Sequence, residues 1–384
     1  MKLEPVVGDD PREILRALRG ALLGAGPALS LGLVDGLPAE VRPGTAVVVT
    51  TSGSTGIPKS VVLSRDALTA SALATADRIG DGAWLLALPA SYVAGLQVLV
   101  RSLVADREPA ILSGAFTPQA FAAAASLMVS TERGERVPTY TSLVPAQLSR
   151  LLDAAEQDSS VLAAVRSFET ILVGGQALPA ATLERAEAAG ARIVRTYGST
   201  ETSGGCVYDG VPLANVRLRI ERGEVQVSGP TLAEGYLGDH VRTDTVFIRE
   251  RDGTRWYRTG DAGLFDDGVL RVRGRIDNVI VSGGVNVSLD RVERIVRGIP
   301  GLDTAVVVGI PDERWGEASV VVASRGEALR RSEAVQLQEA RAAVQAEIGA
   351  HARPSRLVLV DELATLPSGK PDREAIRRAV IALH

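Results

Sequence analysis

The sequence predicts an α/β protein with a large N-terminal α/β domain, a β-rich subdomain within it and a small α+β C-terminal domain. Its 384 residues suggest two to three structural units at about 150 residues per domain. From about residue 45, short apolar runs alternate with helical stretches, which is typical of a largely parallel sheet. Between about 211 and 282 the pattern changes to short alternating runs rich in glycine, and after Gly283 and Gly284 the mixed pattern returns.

The individual elements follow from apolar periodicity. Residues 11–25 start with proline and place Ile14, Leu15, Leu18 and Leu22 on one face, which predicts an amphipathic helix. The remaining predicted elements of the N-terminal half are strands at 46–50, 84–88, 110–112, 170–173 and 192–196 and helices at 66–78, 117–127, 146–156 and 179–189. The C-terminal elements are helices at 288–299 and 327–349 and strands at 304–309 and 318–323.

Composition excludes several classes of protein. Hydrophobic residues make up 46% and charged residues 23%, which is ordinary for a globular chain. The net charge of −4 gives no support to nucleic-acid binding. The single cysteine, Cys206, cannot form an internal disulfide, and no apolar run reaches the ~18 residues of a membrane span. The N-terminus lacks the charged and apolar regions of a signal peptide, so we expect a cytoplasmic protein.

Lysine is rare in this sequence and therefore informative. It occurs at Lys2, Lys59 and Lys370, while the other basic residues are arginine. Arginine and lysine are not interchangeable where a compact ammonium is needed. Lys59 and Lys370 both lie in loops that contain glycine and proline, which marks both as candidate functional residues.

The strongest local signal is the loop at residues 51–59. It combines hydroxyl groups, two glycines and a lysine, which are the ingredients of a phosphate-binding loop. Its candidate ligands are Thr51, Ser52, Gly53, Ser54, Thr55, Gly56 and Lys59. The spacing does not match a Walker A motif. The alternative is a polar turn between a strand and the helix that begins near 66.

Two further loops follow predicted strands. The first contains Tyr197, Gly198, Ser199, Thr200 and Glu201. A carboxylate beside phosphates suits Mg²⁺, although Glu201 taken alone equally fits the start of a helix. The second contains Gly174, Gly175 and Gln176, where a flat ring could lie against bare backbone; a plain turn is the alternative.

Three segments of the C-terminal half carry further polar candidates. Residues 257–261 place Asp261 at a glycine turn, where its carboxylate could accept both hydroxyls of a ribose or serve the turn alone. Residues 274–278 contain Arg275 and Asp277, and residues 366–372 place Lys370 on a loop with proline and glycine.

Together these motifs resemble the adenylate-forming superfamily of acyl-CoA synthetases, adenylation domains and luciferases. The resemblance runs from about 46 to 373, with six motifs in the family's order. It implies an N-terminal adenylation core at 1–276, with its β-rich subdomain at about 211–276, and a mobile C-terminal lid at 277–384 that turns about a hinge at Asp277.

The resemblance also implies roles for the motif residues. Residues 51–59 would bind the β- and γ-phosphates of ATP, and residues 174–176 would lie beside the adenine. Glu201 would hold Mg²⁺ next to Thr200, Asp261 would bind the ribose with Arg275 near it, and Lys370 would contact the carboxylate and α-phosphate. Gly283 and Gly284 would approach the path of the CoA pantetheine.

The segment at 88–96 resembles the family's acyl-pocket motif, with Tyr92 where many members have histidine. Together with Ser203, Gly204 and Gly205 it would shape the acyl pocket. Only fifty residues precede Thr51, fewer than in most relatives. This compact size and the run at 202–210 most resemble actinobacterial 2-succinylbenzoate–CoA ligases of menaquinone synthesis.

The expected function is therefore ATP-dependent ligation of a carboxylic acid, 2-succinylbenzoate, to CoA through an acyl-adenylate. The expected partners are this small-molecule acid, ATP with Mg²⁺, and CoA, and the family favours a homodimer. The alternatives are another acyl- or aryl-CoA synthetase, an enzyme that acylates a carrier protein, and a catalytically silent nucleotide-binding module.

Overall fold

The protein is described by a computed structural model that covers residues 1–32, 36–51, 58–128, 131–132, 134–325, 332–366 and 369–383. Its strands, in chain order, are β1 (Leu3–Pro5), β2 (Ala28–Leu31), β3 (Thr45–Thr51), β4 (Lys59–Ser64), β5 (Ala83–Leu86), β6 (Ala110–Ile111), β7 (Thr131–Glu132), β8 (Glu135–Arg136), β9 (Thr139–Leu143), β10 (Thr170–Val173), β11 (Ile193–Ser199), β12 (Gly204–Tyr208), β13 (Val211–Pro212), β14 (Arg217–Glu221), β15 (Glu224–Ser228), β16 (Gly235–Tyr236), β17 (Phe247–Arg249), β18 (Arg255–Asp266), β19 (Val269–Arg275), β20 (Val279–Ser282), β21 (Val285–Ser288), β22 (Val306–Asp312), β23 (Gly316–Ser324) and β24 (Arg356–Val360).

The helices of the same residues are α1 (Pro11–Leu23), α2 (Arg65–Ile79), α3 (Val93–Val104), α4 (Pro118–Ser126), α5 (Pro145–Ala155), α6 (Ser159–Ser167), α7 (Ala180–Ala188), α8 (His240–Val246), α9 (Leu289–Val296), α10 (Glu333–Glu347) and α11 (Arg373–Ala382). Short 3-10 turns lie at Thr200–Thr202 and Ala350–Ala352. No helix in the described ranges is long and apolar enough to cross a membrane.

The predicted parallel sheet is confirmed. Its strand order is β13-β12-β11-β10-β9-β5-β6, and the five strands from β11 to β6 run parallel. In this register Val173 lies opposite Arg195, so the carboxyl ends of β10 and β11 are neighbours. The segment that starts at Gly174 and the turn that starts at Thr200 therefore begin at the same edge of the sheet, which is where such sheets bind ligands.

A second sheet has the order β1-β2-β3-β4-β16. Its strand β4 is antiparallel to β3, and Thr51 pairs with Lys59 across them. The sequence placed the candidate phosphate loop between a strand and a helix, and this was wrong. A second strand lies between the loop and α2, because the apolar run at 61–63 pairs back onto β3.

The β-rich subdomain is also confirmed, as a sheet of order β14-β15-β18-β17 with β19 paired to β18. A separate sheet of order β21-β20-β23-β22, with β24 paired to β23, contains the strands after residue 278. Helices α9 and α10 share an apolar core with this last sheet, built around Val292, Leu302, Val321 and Val344. The domain boundary between 276 and 277 stays a prediction.

Local signals explain where the helices that support the site begin. Helix α1 starts with Pro11 behind the capping side chain of Asp10 and ends at Gly24, whose φ is +69°. Helix α3 begins at Val93, and a Cβ on Gly95 would lie 2.2 Å from the carbonyl oxygen of Pro89. Glycine at this position therefore lets α3 pack closely against the end of the segment that follows β5.

Candidate active site

Two charged side chains from different sheets meet at the centre of the site. Lys59 begins β4, and Glu201 lies in the 3-10 turn between β11 and β12. The Lys59 ammonium donates a hydrogen bond to Oε1 of Glu201, and the Tyr236 hydroxyl donates to the same oxygen at 2.9 Å. Glu201 is only 2% exposed. A carboxylate this deeply buried needs such donors to keep its charge.

The electrostatics of Glu201 suit a divalent cation. Burial alone would raise its pKa, but the charge of Lys59 and the hydrogen bonds from Lys59 and Tyr236 outweigh burial and hold the pKa below its ordinary value. No three His, Cys, Asp or Glu side chains converge as a metal cage in the part of the chain described. One ionised carboxylate beside bound phosphates is the donor set that Mg²⁺ takes, with water in its remaining positions. The residues present therefore fit Mg²⁺.

Lys370 reaches this cleft from the C-terminal part of the chain. Its Cε lies 3.3 Å from the place that a Cβ on Gly175 would occupy, and Val144 borders both Gly175 and Gly369. The cleft is open, so the Lys370 side chain stays exposed to solvent. Nevertheless, the surrounding protein lowers the pKa of Lys370 by burial; the nearby Lys59 charge also lowers it, whereas Glu201 and Asp261 act in the opposite direction.

Asp261 forms the third polar group of the cleft. The Tyr197 hydroxyl donates to its Oδ2 at 2.6 Å, and Nη1 of Arg275 lies 3.4 Å from its Oδ1. Burial raises the pKa of Asp261, although Tyr197 and Arg275 oppose that shift. Asp261 lies inside β18 and not at a turn after a strand, so that part of the prediction was wrong. The positive φ of Gly260, +71°, supplies the local kink.

The predicted hinge segment is tied down on both sides of Asp277. Arg275 donates two hydrogen bonds to the Asp277 carboxylate, at 2.9 and 2.8 Å. The backbone N–H of Arg275 and the side chain of Asn278 each donate to Asp290 of α9 at 2.7 Å. These bonds couple the end of β19 to the C-terminal sheet. The hinge role of Asp277 stays a prediction.

Gly283 and Gly284, the predicted CoA-path residues, form the tip of the β20–β21 hairpin. Their φ angles are +58° and +80°. A Cβ on Gly283 would lie 2.8 Å from the ring of Trp315, whereas a Cβ on Gly284 would meet nothing within 4 Å. The hairpin tip is therefore open on one side, and its place on the CoA path stays a prediction.

The predicted acyl-pocket segment at 203–205 packs against helix α3. A Cβ on Gly204 would lie 3.1 Å from Cγ of Gln97 and 3.9 Å from Cγ2 of Val93. The Gln97 amide donates to the carbonyl of Ser203 at 2.7 Å, and Ser203 has a left-handed backbone with φ of +54°. Tyr92 is half-buried at the N-terminus of α3, directly before Val93.

Beyond Gln97, the same face of α3 carries a buried cation that the sequence analysis did not single out. Arg101 is 7% exposed, lies 4.8 Å above the ring of Trp84 and donates to the Tyr208 hydroxyl at 3.4 Å. Burial lowers the pKa of Arg101, and no carboxylate pairs with it within the described ranges. A sequence signal was available, because Gln97 and Arg101 are polar residues four apart in an otherwise apolar helix.

Three buried polar atoms beside this segment have no hydrogen-bond partner in the described structure. They are Oγ of Ser203, Oε1 of Gln97 and Nε of Arg101. Buried polar groups are normally paired, so a cluster of unpaired ones calls for an explanation. Tyr208 joins the same group, because its ring lies 3.0 Å from where a Cβ on Gly205 would stand.

Other predicted residues have the following positions. Tyr197, Gly198 and Ser199 belong to β11, and residues 204–208 form β12, so the predicted loop is a hairpin whose turn contains Thr200 and Glu201. The earlier strand end at 196 was wrong, because β12 extends the pairing to Ser199. Gly174 and Gln176 follow β10 beside Gly175. Thr51 ends β3 with its hydroxyl buried and unpaired in the described structure. The candidates Ser52, Gly53, Ser54, Thr55 and Gly56 lie outside the described residues.

Comparison with known proteins agrees with this geometry. Residues 37–237 match the AMP-binding enzyme family, and residues 291–370 match the AMP-binding enzyme C-terminal domain. A probable 2-succinylbenzoate–CoA ligase of Mycobacterium tuberculosis is 39% identical over 380 residues, covering 95% of this chain and 94% of that protein. A feruloyl-CoA synthase of Amycolatopsis is 30% identical and covers 95% and 77%.

Among solved structures, the O-succinylbenzoate CoA synthetase (MenE) of Bacillus subtilis in complex with AMP superimposes with a TM-score of 0.70. It is 25% identical, and the match covers 88% of this chain and 72% of that one. The expected α/β fold with a separate C-terminal unit is therefore confirmed. The chain belongs to the AMP-binding enzyme family of adenylate-forming enzymes.

Proposed function

We propose that this protein is an AMP-forming acid–CoA ligase that adenylates 2-succinylbenzoate with ATP and then transfers the acyl group to CoA. The observation that carries the chemistry is the convergence of Lys59, Glu201, Asp261 and Lys370 in one cleft. Two anions, a carboxylate and a polyphosphate, must meet in the first step. Catalysis by such a site is therefore mostly positioning and neutralisation of charge.

In the first step, a carboxylate oxygen of the acid attacks the α-phosphorus of ATP. A new P–O bond forms, the bond to the β-phosphate oxygen breaks, and pyrophosphate leaves. Lys370 neutralises charge between the carboxylate and the α-phosphate, Lys59 contacts the outer phosphates, and Asp261 accepts from the ribose hydroxyls. Glu201 would hold Mg²⁺, which supplies further positive charge to the phosphates when it is bound.

In the second step, the CoA sulfur attacks the acyl carbon of the adenylate. The new C–S bond replaces the C–O bond to phosphate, AMP leaves, and the thiol proton goes to solvent. No protein nucleophile is needed. Cys206 is fully buried, and burial raises the pKa of its thiol to about 12, so it is not a reactive thiolate at neutral pH.

The choice of substrate rests on the buried cation of α3. 2-Succinylbenzoate keeps a second, ring-bound carboxylate when its aliphatic carboxylate is activated. Arg101 stands beside the glycine segment at 204–205 without an acidic partner in the described structure, and the nearby unpaired atoms of Gln97 and Ser203 offer further polar contacts. A carboxylate in the acyl pocket would pair the guanidinium, as charge-assisted hydrogen bonds favour.

The test is ATP–pyrophosphate exchange across a panel of carboxylic acids, followed by thioester detection with CoA. We expect exchange and CoA thioester formation with 2-succinylbenzoate. Faster exchange with long-chain fatty acids would favour a general acyl-CoA synthetase, and acylation of a carrier protein without CoA would favour that class of enzyme. The absence of exchange with every acid would favour a silent nucleotide-binding module. The homodimer and the cytoplasmic location also stay proposals, based on the family and on the composition.

A further inference from the structure

A buried tyrosine outside the six motifs contacts both charged residues at the centre of the site. Tyr236 is 6% exposed, and its hydroxyl donates to Oε1 of Glu201 at 2.9 Å. The Lys59 ammonium lies 5.6 Å from the centre of its ring. Tyr236 therefore offers a hydrogen bond to the anion and an aromatic face to the cation.

The backbone and ring of Tyr236 are firmly supported. Tyr236 belongs to β16 and pairs with Val61 of β4, the strand that Lys59 begins. Its N–H donates to the Thr243 hydroxyl at 2.9 Å, and its ring packs 5.8 Å from the ring of Phe247. A hydroxyl supported in this way holds its position when neighbouring groups move.

Both donors to Glu201 use the same oxygen, and only one of them is free to leave. Lys59 must turn towards the outer phosphates when ATP binds, which removes its hydrogen bond from Oε1. Losing every donor would leave a buried carboxylate unpaired, which is strongly unfavourable. The Tyr236 hydroxyl can remain on Oε1 throughout this exchange.

We propose that Tyr236 is a positioning residue that keeps Glu201 in its nucleotide-facing orientation after Lys59 has moved to the phosphates. This inference rests on the proposed function, because it assumes that ATP with Mg²⁺ enters this cleft. It predicts that the tyrosine hydroxyl supports the part of nucleotide affinity that depends on Mg²⁺, and not binding of the acid.

The test compares Tyr236→Phe with a matched control, Tyr140→Phe. Tyr140 is equally buried, and its hydroxyl donates to the carbonyl of Ile79 at 3.0 Å, away from the cleft. Calorimetric titration with a non-hydrolysable ATP analogue is carried out with Mg²⁺ and with EDTA, without acid or CoA. We expect the Mg²⁺-dependent gain in affinity to fall about 10-fold or more in Tyr236→Phe and to stay unchanged in Tyr140→Phe.

In the exchange assay, the KM for Mg²⁺ should rise in Tyr236→Phe while the KM for the acid stays at the wild-type value. Equal Mg²⁺ dependence in the two variants would overturn the proposal. Should Tyr236→Phe lower thermal stability, a double-mutant cycle with Glu201→Gln decides the matter: the hydroxyl should add nothing once the carboxylate is gone, and additive losses would refute the role. Failure of wild-type exchange would instead refute the proposed function, because the titrations need no acid.

Discussion

Replacement of Arg101 by methionine tests how the acyl substrate is recognised. Methionine keeps much of the length of the side chain and its contact with Trp84 but removes the guanidinium. In the wild-type protein this buried cation has no carboxylate partner in the described structure, and the ring carboxylate of 2-succinylbenzoate would become that partner. Truncating one member of a buried charge pair costs about 2–4 kcal/mol. At 1.36 kcal/mol per tenfold change, this corresponds to roughly 30- to 900-fold in kcat/KM.

The assay compares 2-succinylbenzoate with benzoylpropionate, which lacks the ring carboxylate. Wild type should prefer 2-succinylbenzoate, and Arg101→Met should lose most of that preference while its activity with benzoylpropionate changes little. Arg185→Met is the matched control, because Arg185 is a partly exposed arginine paired with Asp153 on the surface. Stability should not fall in Arg101→Met, since the variant removes a buried charge without a partner. An equal loss of kcat/KM for both acids would refute this reasoning.

The remaining predictions concern the lid, the pocket entrance and the cysteine. Lys370→Ala should slow adenylation by ~10²–10³-fold while largely sparing thioester formation from a preformed acyl-adenylate, because the ammonium neutralises charge only in the first step; equal losses in both half-reactions would contradict it. Asp277→Pro should impair one half-reaction far more than the other, because proline fixes φ near about −65° at the predicted hinge; single-turnover assays of each step would expose a uniform effect as the contrary result. Tyr92→Ala should lower kcat/KM for 2-succinylbenzoate roughly 5- to 150-fold, and an unchanged value would place Tyr92 outside the pocket. Iodoacetamide at neutral pH should leave activity intact, since burial raises the pKa of Cys206 to about 12; rapid inactivation with labelling of this thiol would contradict its burial.

Local pattern was enough to predict the fold class and most of the nucleotide site. Alternating apolar and helical runs predicted the parallel sheet, and glycine and hydroxyl residues after its strands marked the ligand edge. The two lysines in glycine- and proline-containing loops were recognised from the sequence because this chain otherwise uses arginine. Lys59 and Lys370 indeed share one cleft with Glu201 and Asp261.

Pairing between distant segments could not be predicted in this way. Strand β4 follows the candidate phosphate loop because it pairs with β3, and β11 extends to Ser199 because β12 folds back on it. Gly260 bends β18 at Asp261 without ending it. In each case a glycine or a polar residue suggested a turn, but hydrogen bonds to a neighbouring strand continued the ladder past it.

The residues that only tertiary structure revealed are buried polar groups without a motif. Tyr236 is 35 positions from Glu201 in the chain, and their hydrogen bond exists because β16 pairs with the strand that Lys59 begins. Arg101 reads in the sequence as one arginine of many, and only its burial beside Trp84 and Tyr208 sets it apart. The sequence determined which chemical groups this protein has and the order of its elements. The fold decided which of those groups are removed from water, and burial is what makes a charge or a hydroxyl specific.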